Sequence, residues 1–363
     1  MKVLILTNND VGLYKFRKEL LTELLKDNEV FISLPYGKFV DDMIAMGCHF
    51  VDTEFNRKGT NPIKDLKLLN RYITILSEVK PDIVFTYTIK PNVYGGIACQ
   101  KKKIPYVANV TGLGSSLENE GILQKISSFL YRQGLKGAQK VFFQNQANRD
   151  FMLKHKIVTE NYDVIPGSGV NLEEYSYTDY PSNDKINFVF VSRLMTQKGT
   201  GLYLEAAERI KEKYENTIFH VCGPDEDGYL ESVKELEKRG IVKYYGLVEN
   251  MVDIYRKIDC TVHPSYYAEG LSNILLESCA SGRPIITTDK PGCVDVVEDG
   301  YNGFIIKQND LGDLIEKMER FINLDYETRK QMGINARRFV EEKFDRKIII
   351  NKYLEELKRC RNL

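Results

Sequence analysis

Two glutamates, Glu269 and Glu277, flank what reads as a helix start in the stretch His263–Ile286, HPSYYAEGLSNILLESCASGRPII. Pro264 and Gly270 punctuate a loop. Leu271, Ile274, Leu275, Cys279 and Ala280 recur at helical spacing, and Gly282 before Pro284-Ile285-Ile286 marks a helix stop and a buried strand. A helix start beside a glycine offers an anion backbone N–H groups and a positive dipole end. An acid on either side of such a phosphate site suits a ligand with a diphosphate between two polyols: Glu277 can accept from ribose hydroxyls, Glu269 from a sugar ring. The plainer alternative is a capping acid and a solvated helix acid. Further upstream, Arg193 and Lys198 share one loop after a strand. Two fixed cations can hold a diphosphate and offset the charge that develops when a sugar leaves it, or they can be solvated surface.

The elements that must position these residues follow from length and periodicity. At 363 residues the chain suits two ordinary domains, and 43% apolar composition is normal for a globular protein. With 51 basic against 51 acidic residues there is no net pull toward nucleic acid. The opening MKVLILTNND reads as a strand rather than a signal peptide, and no apolar run approaches the ~18–20 residues of a membrane span. The seven cysteines are scattered without C-x-x-C pairs, as expected of reduced thiols in a cytosolic protein without a zinc site.

Strand and helix alternate in the first half. Strands are predicted at Val3–Thr7, Val30–Leu34, Ile83–Thr88, Tyr106–Val110, Val141–Asn145 and Val164–Ile165. One helix carries Phe16, Leu20, Leu21, Leu24 and Leu25 inward, and another covers Leu66–Val79. Such alternation gives a parallel, doubly wound sheet. The first turn, N-N-D-V-G, lacks the dinucleotide fingerprint, although Gly12 lets backbone approach a ligand closely. Tyr175–Lys185 is a polar linker, and the pattern restarts with strands at Ile186–Val191, Thr217–Val221, Val242–Tyr245, Cys260–Val262, Pro284–Thr287 and Gly303–Ile306. No metal-ligand spacing is present.

Glu269-Gly270, Asn273 and Leu276-Glu277 together resemble the E-x7-E signature of retaining glycosyltransferase family 4. The resemblance implies the GT-B fold, α/β, with two Rossmann-like doubly wound domains facing a central cleft. It implies an acceptor-binding domain over 1–172 and a nucleotide-sugar-binding domain over 185–344, with the last helix, 345–363, crossing back onto the first. It gives the diphosphate to Arg193 and Lys198 of R-x-x-x-x-K-G, places Gly223 near the nucleotide and Leu247 beside the base, and makes Leu271 and Ser272 backbone N–H groups the phosphate donors. Many relatives carry a histidine in the loop that here reads Thr111-Gly112-Leu113-Gly114, so no general base is assigned; His49 and His155 have no motif support. In a front-face mechanism the leaving phosphate can take the acceptor proton.

Three first-half segments, F-x-R-x-x-x-N-P with Arg57 and Asn61, K-P-N-x-Y-G-G with Lys90 and Asn92, and T-G-L-G-S with Thr111, resemble one subgroup. Its members lengthen glycans on polyprenyl diphosphates and include galactose and N-acetylgalactosamine transferases. Between Ile83 and Arg149 the acids are Glu118 and Glu120 alone, against nine cations. Within 121–140, Ile122, Ile126, Phe129 and Leu130 share a helical face beside Lys125, Arg132 and Lys136, a pattern that can lie on an anionic leaflet or be a core helix with solvated lysines.

The expectation is therefore a metal-independent, cofactor-free transferase using a nucleotide sugar such as UDP-GalNAc or UDP-Gal. Its acceptor is a lipid-linked saccharide at the cytoplasmic face of the plasma membrane, where the protein is peripheral. The alternatives are a transferase with a soluble acceptor, an epimerase of the same fold, and a non-catalytic nucleotide-sugar-binding protein.

Overall fold

The computed structural model describes the chain apart from residues 55–60, 115–116, 118–120, 183, 269 and 362–363. The chain divides into two compact units. The first is Met1–Ser168 with Ala268–Leu271 and Lys347–Leu363; the second is Gly169–Tyr267 with Ser272–Arg346.

The first unit is built on strands β1 (Lys2–Leu6), β2 (Glu29–Leu34), β3 (His49–Asp52), β4 (Ile83–Tyr87), β5 (Tyr106–Val110), β6 (Lys140–Phe143) and β7 (Tyr162–Val164). They pair in parallel in the order β3-β2-β1-β4-β5-β6-β7. β4 and β5 are buried throughout, which is why they read as near-continuous apolar runs. β3 escapes the sequence reading because it is a short edge strand with His49 and Asp52 exposed. Helices α1 (Asp10–Leu25), α2 (Val40–Ala45), α3 (Pro62–Val79), α4 (Gly96–Lys102), α5 (Ile122–Leu135) and α6 (Gln146–Lys154) lie between the strands. α3 begins four residues ahead of its apolar periodicity, because Asn61 caps it by accepting from Ile63 and Lys64 N–H and Pro62 supplies a preset first turn.

α1 buries Leu13 and Arg17 alongside Leu20, Leu21 and Leu24, whereas Phe16 and Leu25 are only partly covered. Arg17 is inside because its guanidinium lies over the rings of Tyr87, at 5.3 Å, and Tyr353, at 5.9 Å. Tyr353 belongs to the last helix, α13 (numbered after the second unit's helices below; Arg346–Arg361), which adds Ile349, Ile350, Tyr353 and Leu357 to the core on one face of the first sheet. The Tyr353 hydroxyl donates to Asn109 Oδ1 at 2.5 Å, and its ring meets Phe85 and Phe142 edge-on.

The second unit repeats the plan with β8 (Ile186–Val191), β9 (Thr217–Cys222), β10 (Val242–Tyr244), β11 (Cys260–His263), β12 (Ile285–Thr288) and β13 (Gly303–Ile306), in the order β10-β9-β8-β11-β12-β13. Its helices are α7 (Thr200–Lys213), α8 (Leu230–Lys238), α9 (Val252–Tyr255), α10 (Asn273–Ala280), α11 (Leu311–Ile322) and α12 (Tyr326–Lys343). In each sheet the strand order reverses next to the first strand, between β1 and β4 and between β8 and β11. Doubly wound sheets bind ligands at the carboxyl ends of the strands at such a reversal.

Removing the Tyr353 hydroxyl leaves Asn109 Oδ1 buried without that donor. Tyr353→Phe is therefore expected to cost about 1–3 kcal/mol of stability, and Tyr353→Ala about 3–5 kcal/mol, in denaturant melts of the whole chain.

Candidate active site

In the second unit the loop after β8 carries Arg193 and a short turn, Thr196–Lys198, while the segment after β11 leads into α10 and Glu277. The two predicted cations and Glu277 thus all belong to loops and helices leaving the strands that flank the reversal. Arg193 Nη1 donates to Glu226 Oε2 at 2.5 Å and remains half-exposed. The loop is braced further by Leu194 N–H to Pro224 O at 2.8 Å and Thr196 N–H to Asp227 Oδ2 at 2.8 Å. Lys198 Nζ lies 4.8 Å from the centre of the Tyr267 ring. Burial pulls the Lys198 ammonium down to about 8; neighbouring Cys293 pushes the other way, and the Arg193 charge lowers it further. A lysine whose charge is disfavoured by burial and by a neighbouring arginine describes a place suited to an anion.

Gly223 follows β9 at φ +138°, and a Cβ there would stand 1.7 Å from Ser192 O. Its N–H donates to Gly246 O at 2.7 Å and its carbonyl accepts from Tyr244 OH at 2.9 Å, so only glycine lets the ends of β8, β9 and β10 draw together here. Leu247, one residue beyond, is 70% exposed. Glu277 is buried on the second turn of α10, where Tyr255 OH donates to its Oε2 at 3.5 Å. Ser272, expected as a phosphate donor, has its N–H engaged within the protein, donating to Gly292 O at 2.9 Å. Asn273 is the first residue of α10.

Residues Ala268–Leu271 group with the first unit. Gly270 has no room for a side chain, since a Cβ would lie 2.1 Å from Gln144 Oε1 and 2.2 Å from the Thr111 carbonyl. Asn145 Nδ2 donates to Gly270 O, and Leu271 packs against Gly167. Thr111 therefore meets this loop through its backbone. Glu269 lies outside the described residues, as does Arg57.

The other first-unit positions fare differently. Gly12 lies in the first turn of α1, where its N–H donates to the capping Asn9 Oδ1 at 2.6 Å. Asn92, expected on the acceptor side, is fully buried, accepting from Thr86 Oγ1 and donating to Asn109 O, and so ties β4 to β5. Lys90 pairs with Asp65 at 2.8 Å. It lines a pocket of about 540 Å³ with Lys64, Lys67, Arg71, Glu54 and Asp65. Between β4 and Lys90, Thr88 has φ +70°, an outlier for a β-branched residue, and a π-helical turn, Pro91–Gly95, follows. On α5, Ile122, Leu123, Ile126 and Phe129 are exposed, whereas Leu130 is partly buried against the core. Lys125 and Lys136 are exposed, while Arg132 is spent on the carbonyls of His155 and Lys156. Among the described residues no group of His, Cys, Asp and Glu is arranged to hold a metal, and no helix is long and apolar enough to cross a membrane.

Tyr267, Glu226, Tyr255 and Thr88 join these surroundings without belonging to any motif read from the sequence. Tyr267 and Glu226 stand close to recognised motifs and could have been flagged by that; nothing local marks Tyr255 or the backbone of Thr88.

Residues 2–145 match the family model for glycosyl transferase 4-like domains, and residues 179–339 that for glycosyl transferases group 1. The chain belongs to the family 4 glycosyltransferases. It is similar to the N,N'-diacetylbacillosaminyl-diphospho-undecaprenol alpha-1,3-N-acetylgalactosaminyltransferase of Campylobacter jejuni, with 28% identity over 98% of each chain. It is also similar to the UDP-Gal:alpha-D-GlcNAc-diphosphoundecaprenol alpha-1,3-galactosyltransferase of Escherichia coli, with 26% identity over 82% of this chain and 81% of that one. The fold matches Anabaena HepE, solved in complex with UDP, at a TM-score of 0.80 and 19% identity over 99% and 100% of the two chains. These likenesses agree with two parallel Rossmann-like units of the GT-B class.

A lysine whose value is lowered on folding destabilises the fold while it stays charged, and that cost is relieved as pH rises from the folded value toward the unfolded one. Lys198→Met is accordingly expected to melt above the unsubstituted glycosyltransferase at pH 7. The gap should close between about pH 8 and the ordinary lysine value of 10.5. Melting curves across that range check it; a gap that does not change with pH would contradict the burial of the charge.

Proposed function

We propose that this glycosyltransferase moves a hexose from a UDP-sugar, such as UDP-GalNAc or UDP-Gal, to a saccharide carried on a polyprenyl diphosphate, with retention and without a metal ion. The observation that carries the proposal is the end-to-end similarity to the Campylobacter transferase, whose name specifies such an acceptor. In this assignment Arg193 and Lys198 hold the diphosphate and stabilise it as it leaves. Glu277 takes the ribose, Glu269 the sugar, and Gly223 and Leu247 border the nucleotide. With Ser272 N–H engaged, the backbone of Leu271 and the first turn of α10 at Asn273 remain the phosphate-facing groups. Thr111 stands at the acceptor side. No protein base is assigned; the departing phosphate accepts the acceptor proton as the new glycosidic bond forms.

The first unit supports an amphiphilic acceptor. The pocket beside Asn61 and Lys90 presents Lys64, Lys67 and Arg71, spaced along one stripe of α3, against two acids. Nearby on α3, Ile63 is 70% and Leu66 58% exposed. The exposed apolar residues of α5, with Lys125 on the same helix and Lys136 at its C-terminal cap, favour peripheral contact with an anionic leaflet at the cytoplasmic face. The cysteines, all unpaired, fit that reducing compartment.

The direct test is incubation with UDP-sugars and synthetic polyprenyl-diphosphate saccharides, with the product's mass and anomeric configuration as readout. Inverted product, or dependence on a divalent ion that EDTA removes, would contradict the mechanism, and binding without turnover of any pair would make the chain a binding protein. Arg193→Ala and Lys198→Ala are each expected to lower turnover about 10²–10³-fold, since each removes one stabilising donor. For the membrane contact, Ile126→Ser with Phe129→Ser should release the protein from acidic vesicles in sedimentation while leaving hydrolysis of the UDP-sugar in solution unchanged. Undiminished sedimentation of that double variant would favour a soluble acceptor.

A further inference from the structure

Glu277 is a carboxylate with only 8% of its surface exposed, on a helix whose other inward residues are apolar or small. A buried carboxylate needs donors to stay charged and a fixed direction to be useful. Tyr255, at the end of α9, is itself fully buried, and its hydroxyl proton is shared between Ile274 O at 3.3 Å and Glu277 Oε2 at 3.5 Å. Tyr175, from the segment that enters the second unit, meets the Tyr255 ring edge-on, the centroids 6.1 Å apart. Glu277 acts on the Tyr175 phenol both by its charge and by a side-chain hydrogen bond. Burial first, and the Glu277 charge second, hold both phenols far above the ordinary tyrosine value, so they are donors at every working pH.

The segment bearing Tyr175 is anchored to the far end of the same helix. Arg337 Nη1 donates to Tyr175 O at 2.8 Å and to Ala280 O at 2.7 Å. Arg283, fully buried, donates to Thr178 O at 3.0 Å, to Thr178 Oγ1 at 2.7 Å and to Asp179 O at 3.0 Å, and its Nε donates to Tyr255 O at 2.7 Å. One arginine thus fixes Tyr175 relative to α10, and the other ties the neighbouring backbone to Tyr255.

We infer that Tyr175 and Tyr255 are positioning residues that orient the Glu277 carboxylate toward the two hydroxyls of a ribose, and so make the site selective for ribonucleotides over deoxyribonucleotides. This rests on the assignment of Glu277 to the ribose. The tyrosines act through the acid and need not touch the ligand.

The test compares the affinity of UDP with that of 2′,3′-dideoxy-UDP by calorimetry. Tyr255→Phe and Tyr175→Phe each keep the ring and its packing and remove one hydroxyl. Each is expected to weaken UDP about three- to tenfold, the worth of one hydrogen bond, and to leave the dideoxy analogue within about twofold. The ribose preference should therefore shrink in each variant and vanish in Glu277→Gln. Equal losses for both ligands, or an unchanged preference in both tyrosine variants, would overturn the positioning role. A Glu277→Gln variant that keeps the full preference would overturn the ribose assignment, and the proposal with it. Thermal melts identify a variant that has lost its fold, and because the two tyrosines come from separate segments, the other variant still decides.

Discussion

Where a doubly wound sheet reverses its strand order, the loops leaving two adjacent strands run to opposite faces, and neither covers the gap between them. In the second unit that gap lies between β8 and β11. The residues proposed for the chemistry are laid out around it. β8 delivers Arg193 and Lys198, and β11 delivers the segment that becomes α10 and carries Glu277. The backbone constraint at Gly223 belongs to the same edge: a side chain there would strike the Ser192 carbonyl and push apart the strand ends that form the rim. Parallel pairing places the residues, and the local turns only refine their aim.

The electrostatics of that edge are demanding. Burial and the Arg193 charge both disfavour a protonated Lys198. Glu277 is a carboxylate almost out of contact with water. In the proposed assignment a diphosphate offers negative charge to the cations and a ribose offers hydroxyl donors to the acid. Burial makes an interaction at Lys198 or Glu277 stronger than its counterpart in water, which is how a small set of side chains could stabilise a leaving diphosphate. The first unit has a different character. Its exposed side chains combine cations with apolar groups, at Lys64, Lys67, Ile63 and Leu66 on α3 and at Lys125, Ile126 and Phe129 on α5. That combination suits an acceptor with an anionic head and a hydrocarbon tail.

Much of this was determined by the sequence alone. β5, β8 and β13 have the boundaries their apolar runs predict, because strands buried on both faces leave an uninterrupted signature. The E-x7-E stretch and the R-x-x-x-x-K-G loop announce a nucleotide-sugar enzyme because phosphate and polyol recognition uses few residue types at short spacings. The sequence left β3 unread, since an exposed edge strand carries no such run, and it could not foresee that Arg17 goes inside.

Only the tertiary structure decided which groups are engaged. Asn92 looked like a ligand residue and is fully committed between β4 and β5; Ser272 N–H looked available and bonds to Gly292 O. The apolar face of α5 could have been core, yet Tyr131 and Leu135 point inward while Ile122, Ile126 and Phe129 face outward. Tyr175 and Tyr255 lie 80 residues apart in the chain and both reach Glu277, and no local pattern could connect them. Hydrogen-bond partners and burial are set by contacts between distant segments, whereas periodicity and motif spacing are local; the chain's letters carry the second openly and the first only through the fold.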